Sequence, residues 1–380
     1  MTSREEILII AGEVSGDLIG SGLVYQLKKI NPSLKISGIG GEKMKDAGME
    51  LIFHINQMAF LGFWEVLKHY PFIRKVRNKI LDRAADNKIK YAVLIDYPGF
   101  NLNIAPRLKK LGVKIFYYVS PQLWAWGSGR VKKIQKFIEK MLVIFPFEKD
   151  FYKNFSIDVE FVGHPLVERI NNYSFLSKEE LYKKLNLDKG KEILLLLPGS
   201  RKQEIERIFP EIIKAAKKLS DKFNLQIVVA CSLNIDKNIL TELSANVKFA
   251  VASDVTYDLM KNSKFGIIKS GTSTLEAGYF TLPMVVVYKT SPASYLIGSN
   301  LIKIDKIAMA NIILGEKLVP ELIQSEVNEK IIFRQSEKIL SNDSEYKRIK
   351  TRLGNIKNLL GETGASEKAA RSILALMNES

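Results

Sequence analysis

Several short segments set polar, chemistry-bearing side chains beside glycine or proline, directly after an apolar run. The first is Gly12-Glu13-Val14-Ser15-Gly16-Asp17, after Ile7–Ala11. Glycines let backbone approach a ligand closely, and helix N-termini attract anions. Glu13 and Asp17 would repel a pyrophosphate, so this turn suits an uncharged, hydroxyl-bearing acceptor. A tight turn with Ser15 or Asp17 as helix N-cap accounts for the same residues. The Gly-x-Gly-x-x-Gly spacing of a dinucleotide site is absent here.

The second is Asp96-Tyr97-Pro98-Gly99-Phe100-Asn101, after Ala92–Ile95. A carboxylate at the carboxyl end of a parallel strand points to where such sheets bind ligands, and Asp96 could there take a proton from an attacking hydroxyl. Its structural alternative is an Asp capping the Pro98-Gly99 turn. Next, Tyr117–Trp126 places two of the three tryptophans, Trp124 and Trp126, in an aromatic loop after Ser120-Pro121. Such aromatics stack on sugar faces or simply fill a core.

In the second half, Pro198-Gly199-Ser200-Arg201 follows Leu194–Leu197. An arginine there can bind a diphosphate bidentately, or pair on the surface with Glu204 and Glu206. Ser270-Gly271-Thr272-Ser273-Thr274-Leu275-Glu276 follows Phe265–Lys269. Small residues at a helix start form an anion cradle of backbone N–H groups. The plain alternative is an N-cap at Thr272 or Ser273, with Glu276 completing a capping box. The chain has no Asp-x-Asp, and His54, His69 and His164 have no ligand spacing. No metal site and no cofactor are expected.

These turns need parallel strands to carry them. Apolar runs at Ile7–Ala11, Ala92–Ile95, Lys114–Val119, Met141–Phe145 and, more weakly, Val159–Val162 read as strands, and Leu18–Ile30 and Arg130–Ile138 as helices. Residues 166–190 break the pattern with a Lys-rich stretch, a short helix at Lys178–Leu185 and an Asp188-Lys189-Gly190 turn. Strands then resume at Ile193–Leu197, Gln226–Ala230, Val247–Val251, Phe265–Lys269 and Met284–Tyr288, and Glu345–Met377 is helical by pattern. The expected organisation is a doubly wound α/β domain over 1–165, a linker over 166–190, a second such domain over 191–344, and helices over 345–380 that could return to the first domain.

At 380 residues the length suits two domains, and 46% hydrophobic with 26% charged residues is an ordinary globular composition. The net charge of +16 favours anionic partners, and the single Cys231 excludes an intrachain disulfide. No apolar run has the length of a spanning helix, and the N-terminus lacks a signal-peptide core, so the expectation is a protein that is soluble or lies on a membrane surface. Met58–Trp64 is apolar and precedes Lys68–Lys90, where lysine and arginine outnumber Asp82 and Asp86. An apolar patch beside a basic helix suits an anionic membrane, and equally a core-facing helix with a solvated basic face.

Together the blocks Ala11–Asp17, Asp96–Asn101, Tyr118–Trp126, Pro146–Lys149, Gly163-His164-Pro165, Leu197–Arg201, Ser270–Glu276 and Leu318–Gln324 resemble the lipid-A-disaccharide synthases, inverting glycosyltransferases of the GT-B fold. The resemblance runs in order over nearly the whole chain. It implies a GT-B-like fold, with two Rossmann-like domains facing a cleft. The implied reaction joins UDP-2,3-diacylglucosamine to 2,3-diacylglucosamine 1-phosphate, giving the β-1,6-linked lipid A disaccharide and UDP, at the inner face of the cytoplasmic membrane. On that reading Arg201, Ser270, Gly271, Thr272, Ser273 and Glu276 hold the UDP, with Asn311 and Gln324 as further nucleotide contacts. Asp96, or its rival Glu13, is the base, and Ser15, Asp17, Ser120 and Gln122 contact the acceptor. Phe60, Leu61, Phe63 and Trp64 touch the membrane, and a homodimer is left open. The chain departs from the family at Gly99, where a second acid is frequent, and at Ala308-Met309-Ala310-Asn311, where Ser-Leu-Pro-Asn is usual. The competing readings are another GT-B enzyme, such as a UDP-GlcNAc epimerase or other UDP-sugar transferase, and a basic nucleic-acid-binding protein. No nucleic-acid motif supports the last.

Overall fold

Runs of five or six apolar residues with no alternation are what a strand needs when both its faces are covered. Ile7–Ala11 and Tyr91–Ile95 are such runs, and every residue in them is buried. The computed structural model describes residues 5–57, 70–121, 123, 130–232, 235–292, 295 and 305–379. Phe60, Leu61, Phe63, Trp64, Gln122, Trp124 and Trp126 lie outside them.

The described chain divides into two units, residues 1–171 with 360–380, and residues 172–359. The first unit carries β1 (Glu6–Ala11), β2 (Lys35–Gly40), β3 (Glu50–His54), β4 (Tyr91–Ile95), β5 (Lys114–Tyr118), β6 (Lys140–Val143) and β7 (Val159–Phe161). Their order is β3-β2-β1-β4-β5-β6-β7, all parallel. Between them run α1 (Val14–Ile30), α2 (Glu42–Asp46), α3 (Tyr70–Asp86), α4 (Pro98–Lys110), α5 (Val131–Phe137) and α6 (Pro146–Lys153), with α7 (Pro165–Asn171) last. Strand order reverses between β1 and β4, so the β1–α1 and β4–α4 turns emerge side by side. That is where open α/β sheets bind ligands.

The second unit begins with α8 (Lys178–Lys184). Its strands are β8 (Glu192–Leu197), β9 (Leu225–Ala230), β10 (Ala250–Ala252), β11 (Ser263–Lys269), β12 (Met284–Tyr288) and β13 (Glu321–Ile323), in the order β10-β9-β8-β11-β12-β13. All pairs are parallel. The connecting helices are α9 (Lys202–Phe223), α10 (Asn238–Glu242), α11 (Thr256–Asn262), α12 (Thr272–Tyr279) and α13 (Met309–Leu314), followed by α14 (Glu329–Leu340) and α15 (Asp343–Leu359). Here the order reverses between β8 and β11, which brings the Pro198–Arg201 and Ser270–Ser273 turns together.

The helical run expected over Glu345–Met377 is broken by Gly361 (φ +78°) and Gly364 (φ +95°), left-handed positions that suit glycine. Beyond the break, α16 (Ala365–Asn378) belongs to the first unit and packs on α1. A Cβ on Gly22 would lie 2.6 Å from the Ser366 hydroxyl, so the contact requires a glycine there. Ser366 donates its N–H and its hydroxyl to the Glu168 carboxylate, which fixes the start of α16. Among the described residues no helix is long and apolar enough to cross a membrane.

Candidate functional site

At the reversal point of the first sheet, a cavity of about 410 Å³ is lined by Glu13, Asp96, Tyr97, Gly99, Ser120 and Glu148, among others. Asp96 and Tyr97 both have left-handed backbones, φ 44° and 45°. Such positions cost non-glycine residues about 1–3 kcal/mol each and persist only when the surroundings enforce them. Asn101 and Tyr117 do so. The amide of the fully buried Asn101 donates to the carbonyls of Asp96 (2.8 Å) and Ile95 (3.2 Å), and the Tyr117 hydroxyl donates to Asp96 O at 2.6 Å. The ring of Tyr97 lies over Gly12, where a Cβ would come within 2.1 Å of it. The glycine of the first turn is thus required by an aromatic neighbour.

Burial pushes the Asp96 carboxyl up to about 6, and the negative charge of Glu13 pushes the same way. Glu13 itself is exposed at the N-cap of α1 and makes no side-chain cap bond. The expected cap at Ser15 or Asp17 is therefore replaced by Glu13. The Asp96 carboxylate is poorly solvated, and its proton affinity lies close to neutrality.

Ser15 stands exposed in the first turn of α1. Two further acceptor candidates make hydrogen bonds within the fold. Asp17 is 4% exposed, and its carboxylate accepts N–H bonds from Gly41 (2.7 Å), Met44 (3.1 Å) and Lys43 (3.3 Å), capping α2. The Ser120 hydroxyl lies 2.6 Å from that of Tyr152 and donates to Pro121 O at 2.9 Å, so Ser120 lines the cavity as a packed wall residue. Glu148 was not foreseen. It is buried, and one carboxylate oxygen accepts the N–H groups of Phe145 (3.1 Å) and Ile144 (3.3 Å), shaping the cavity floor at the start of α6. His164 is buried behind it, 5.1 Å from the Phe145 ring, and burial, then Arg169, lowers its pKa to about 3. Its Nδ1 accepts the Leu166 N–H. His164 is thus a neutral structural residue.

In the second unit Arg201 is the N-cap residue of α9, with its side chain 57% exposed. Its guanidinium lies 3.5 Å from Glu204, so the surface pairing weighed from sequence does occur. Gly271, with φ +157° and open space around it, is the N-cap of α12 and makes no side-chain cap bond; neither Thr272 nor Ser273 caps the helix. Thr272 is exposed and Ser273 partly exposed in the first turn. Ser270 is 9% exposed and donates to Ile307 O at 2.7 Å, so its hydroxyl is used in holding the loop. Thr274 braces that loop from below, donating to Gly271 O and accepting the Met309 N–H. Glu276, one turn along, accepts a 3.3 Å bond from Tyr257.

The two remaining nucleotide candidates are engaged within the fold. Asn311 is fully buried and makes four bonds: it donates to Val319 O (2.9 Å) and Glu321 (2.8 Å) and accepts the N–H groups of Leu318 and Val319 (both 3.0 Å). Those four bonds use both the donors and the acceptor of the amide within the fold. Gln324 accepts the Thr290 N–H at 2.7 Å and donates to Thr290 O at 3.3 Å, clamping the end of β12. Sequence reading also passed over Lys269, the last residue of β11. Its ammonium lies 2.9 Å from Glu204, both side chains being largely buried, and 5.8 Å above the Tyr288 ring. The signal was a lysine ending an otherwise apolar strand, directly before Ser270.

A larger cavity, about 510 Å³, lies where β13 meets α14 and α15, lined by Lys317, Glu326, Lys338 and Arg348 among others. It holds none of the donor candidates, and volume alone does not mark the site. Among the described residues no group of three His, Cys, Asp or Glu is placed to hold a metal ion.

A family model described as lipid-A-disaccharide synthetase matches residues 7–375. A lipid-A-disaccharide synthase from Geobacter metallireducens is 38% identical over 379 residues, 99% of this chain and 98% of that protein. Among solved structures, the UDP-GlcNAc 2-epimerase from Neisseria meningitidis, bound to UDP-GlcNAc, superposes with a TM-score of 0.64 at 13% identity, covering 99% of this chain and 100% of that one. The calicheamicin glycosyltransferase superposes at 0.59 with 16% identity, covering 100% and 99%. At such identities the two structures share the fold with this chain, and the fold is the GT-B type.

Proposed function

The chain belongs to the lipid-A-disaccharide synthase family, and from that premise we propose that it joins UDP-2,3-diacylglucosamine to 2,3-diacylglucosamine 1-phosphate by a single inverting displacement that needs no metal. The acceptor's 6-hydroxyl attacks C1 of the donor sugar. The new O–C1 bond forms as the bond from C1 to the UDP oxygen breaks, and the hydroxyl proton passes to Asp96. The observation that carries this reading is the cavity shared by Asp96 and Glu13, with Asp96 raised to about 6 beside an open Gly99. A base so tuned is ionised at neutral pH yet holds the proton well once received.

Charge on the departing UDP falls to Arg201 and to the N-terminus of α12, whose first N–H groups have no partner inside the helix. Thr272 and Ser273 stand beside them, and Gly271 lets the diphosphate approach the backbone. Glu276 accepts hydrogen bonds from the ribose hydroxyls. The relative bound to UDP-GlcNAc lends support to a UDP-sugar donor. Peripheral attachment at the inner face of the cytoplasmic membrane rests on the basic residues of α3 (Arg74, Lys75, Arg77 and Lys79) and on the preceding apolar segment.

The test is incubation of the protein with both monosaccharide lipids in EDTA. The reading requires a disaccharide 1-phosphate and an equal amount of UDP. Release of free sugar without disaccharide, or activity only with added divalent ions, would count against it.

A further inference from the structure

Lys269 and Arg201 converge on one carboxylate from adjacent strands. β8 and β11 are paired with Ile268 beside Leu197, so the Pro198–Arg201 turn and the Lys269–Gly271 turn leave the sheet next to each other. Glu204 sits between them. Its Oε1 lies 2.9 Å from the Lys269 ammonium and 3.5 Å from the Arg201 guanidinium, and its Oε2 accepts the Ser200 N–H at 3.2 Å. The same carboxylate closes over Gly199, where φ is +124° and a Cβ would lie 2.6 Å from Oε2. Two cations on one anion leave a net positive charge at the carboxyl end of the sheet, with Lys269 and Glu204 largely buried and Arg201 exposed. Neither the helix N-terminus nor Arg201 explains why a lysine is largely buried there.

Resting on the UDP-donor reading above, we propose that Lys269 is a second cation for the donor's diphosphate, held in place by Glu204 until the nucleotide binds. A lysine one residue before the Ser270-Gly271 turn has the reach of its four-carbon stem across that turn. Glu204 holds the largely buried ammonium at 2.9 Å, so little side-chain entropy is lost when a phosphate oxygen becomes a further neighbour. Pairing with Glu204 lowers the carboxylate's pKa against the opposing effect of burial, so Glu204 stays ionised and Lys269 is never without a partner. A lysine of purely structural use would tie the two loops together with no preference for phosphate.

The experiment measures affinity for UDP and for uridine by calorimetry, with wild type, Arg201→Ala, Lys269→Met, and the double variant Lys269→Met/Glu204→Gln. The double variant removes both charges with little change of shape and covers the case in which an unpaired buried Glu204 unfolds the single variant. Each lysine variant is expected to bind UDP about 10- to 100-fold more weakly, the range for losing a charged hydrogen bond, with uridine affinity unchanged. Raising the salt concentration should weaken UDP binding less in these variants than in wild type. Equal losses for UDP and uridine, or UDP affinity at the wild-type level in the double variant while Arg201→Ala is impaired, overturn the role of Lys269 and leave the donor reading standing. Wild type that fails to bind UDP at all overturns the donor reading itself.

Discussion

Asp96 and Glu13 bring two carboxylates to one cavity from the turns after β4 and β1, two paired parallel strands. Burial first, and then Glu13, lifts Asp96 from 3.8 to about 6. A carboxylate raised on folding favours the folded state below its unfolded pKa, and that advantage is lost as pH climbs through the folded one. Asp96 therefore erodes stability between about pH 4 and 6. Asp96→Asn, neutral throughout, should gain about 2 kcal/mol over wild type between pH 4.5 and 7.5, since a tenfold change in proton affinity corresponds to about 1.4 kcal/mol. Denaturant unfolding at the two pH values measures this. An advantage independent of pH would mean that Asp96 is not the raised group.

Arg201→Ala should cost about 3 kcal/mol of transition-state stabilisation, the scale for removing one preorganised donor. Its exposure makes the fold indifferent to the change, so thermal stability should stay at the wild-type level. Turnover equal to wild type at both saturating and limiting donor would leave Arg201 as a surface residue paired with Glu204.

Asn311, a nucleotide candidate by sequence, fastens the turn before β13. Asn311→Ala strands the N–H groups of Leu318 and Val319 and removes the side-chain donor of the Val319 carbonyl, while Glu321 keeps the N–H groups of Ile307 and Ala308. We expect a loss of about 2–4 kcal/mol of unfolding free energy, the consequence of breaking a buried polar network. UDP affinity of the folded fraction should be unaltered. A variant of full stability with weakened UDP binding would assign Asn311 to the nucleotide.

The contrast between Asn311 and Asp96 shows what the sequence could express. Strand-end turns were legible because apolar runs of fixed length precede them, so the β1, β4, β8 and β11 loops could be located from Ile7, Ala92, Ile193 and Phe265 onward. The partners of Asn311 and Asp17 were not legible. They are mostly backbone N–H groups, carried by nearly any residue type, and only the fold brings them within reach. β2 escaped notice because Ser37, Gly38 and Gly40 interrupt its apolar pattern, and β13 because it has three residues. β10 was expected at Val247–Val251 and lies at Ala250–Ala252, since a half-buried edge strand leaves its ends weakly specified. Lys269 could have been found: a charged residue ending a buried strand is costly without a partner.

Membrane attachment through the apolar segment before α3 is testable by substitution. Replacing Phe60, Leu61, Phe63 and Trp64 together by Ser should leave cooperative unfolding intact and shift the protein off anionic vesicles, whose hold on wild type should weaken with salt. Vesicle sedimentation reports the outcome. Loss of folding in the variant would place these side chains in the core.

The role of Asp96 as the base is tested most directly by comparing turnover of Asp96→Asn and Glu13→Gln, with UDP affinity as the control for folding. Asn keeps shape and hydrogen bonding but cannot take the proton from the attacking hydroxyl. Turnover of Asp96→Asn should fall about 10²–10⁴-fold with UDP affinity nearly unchanged, whereas Glu13→Gln should lose less or act mainly on the acceptor's apparent affinity. A nearly active Asp96→Asn beside an inactive Glu13→Gln would contradict the assignment and make Glu13 the base.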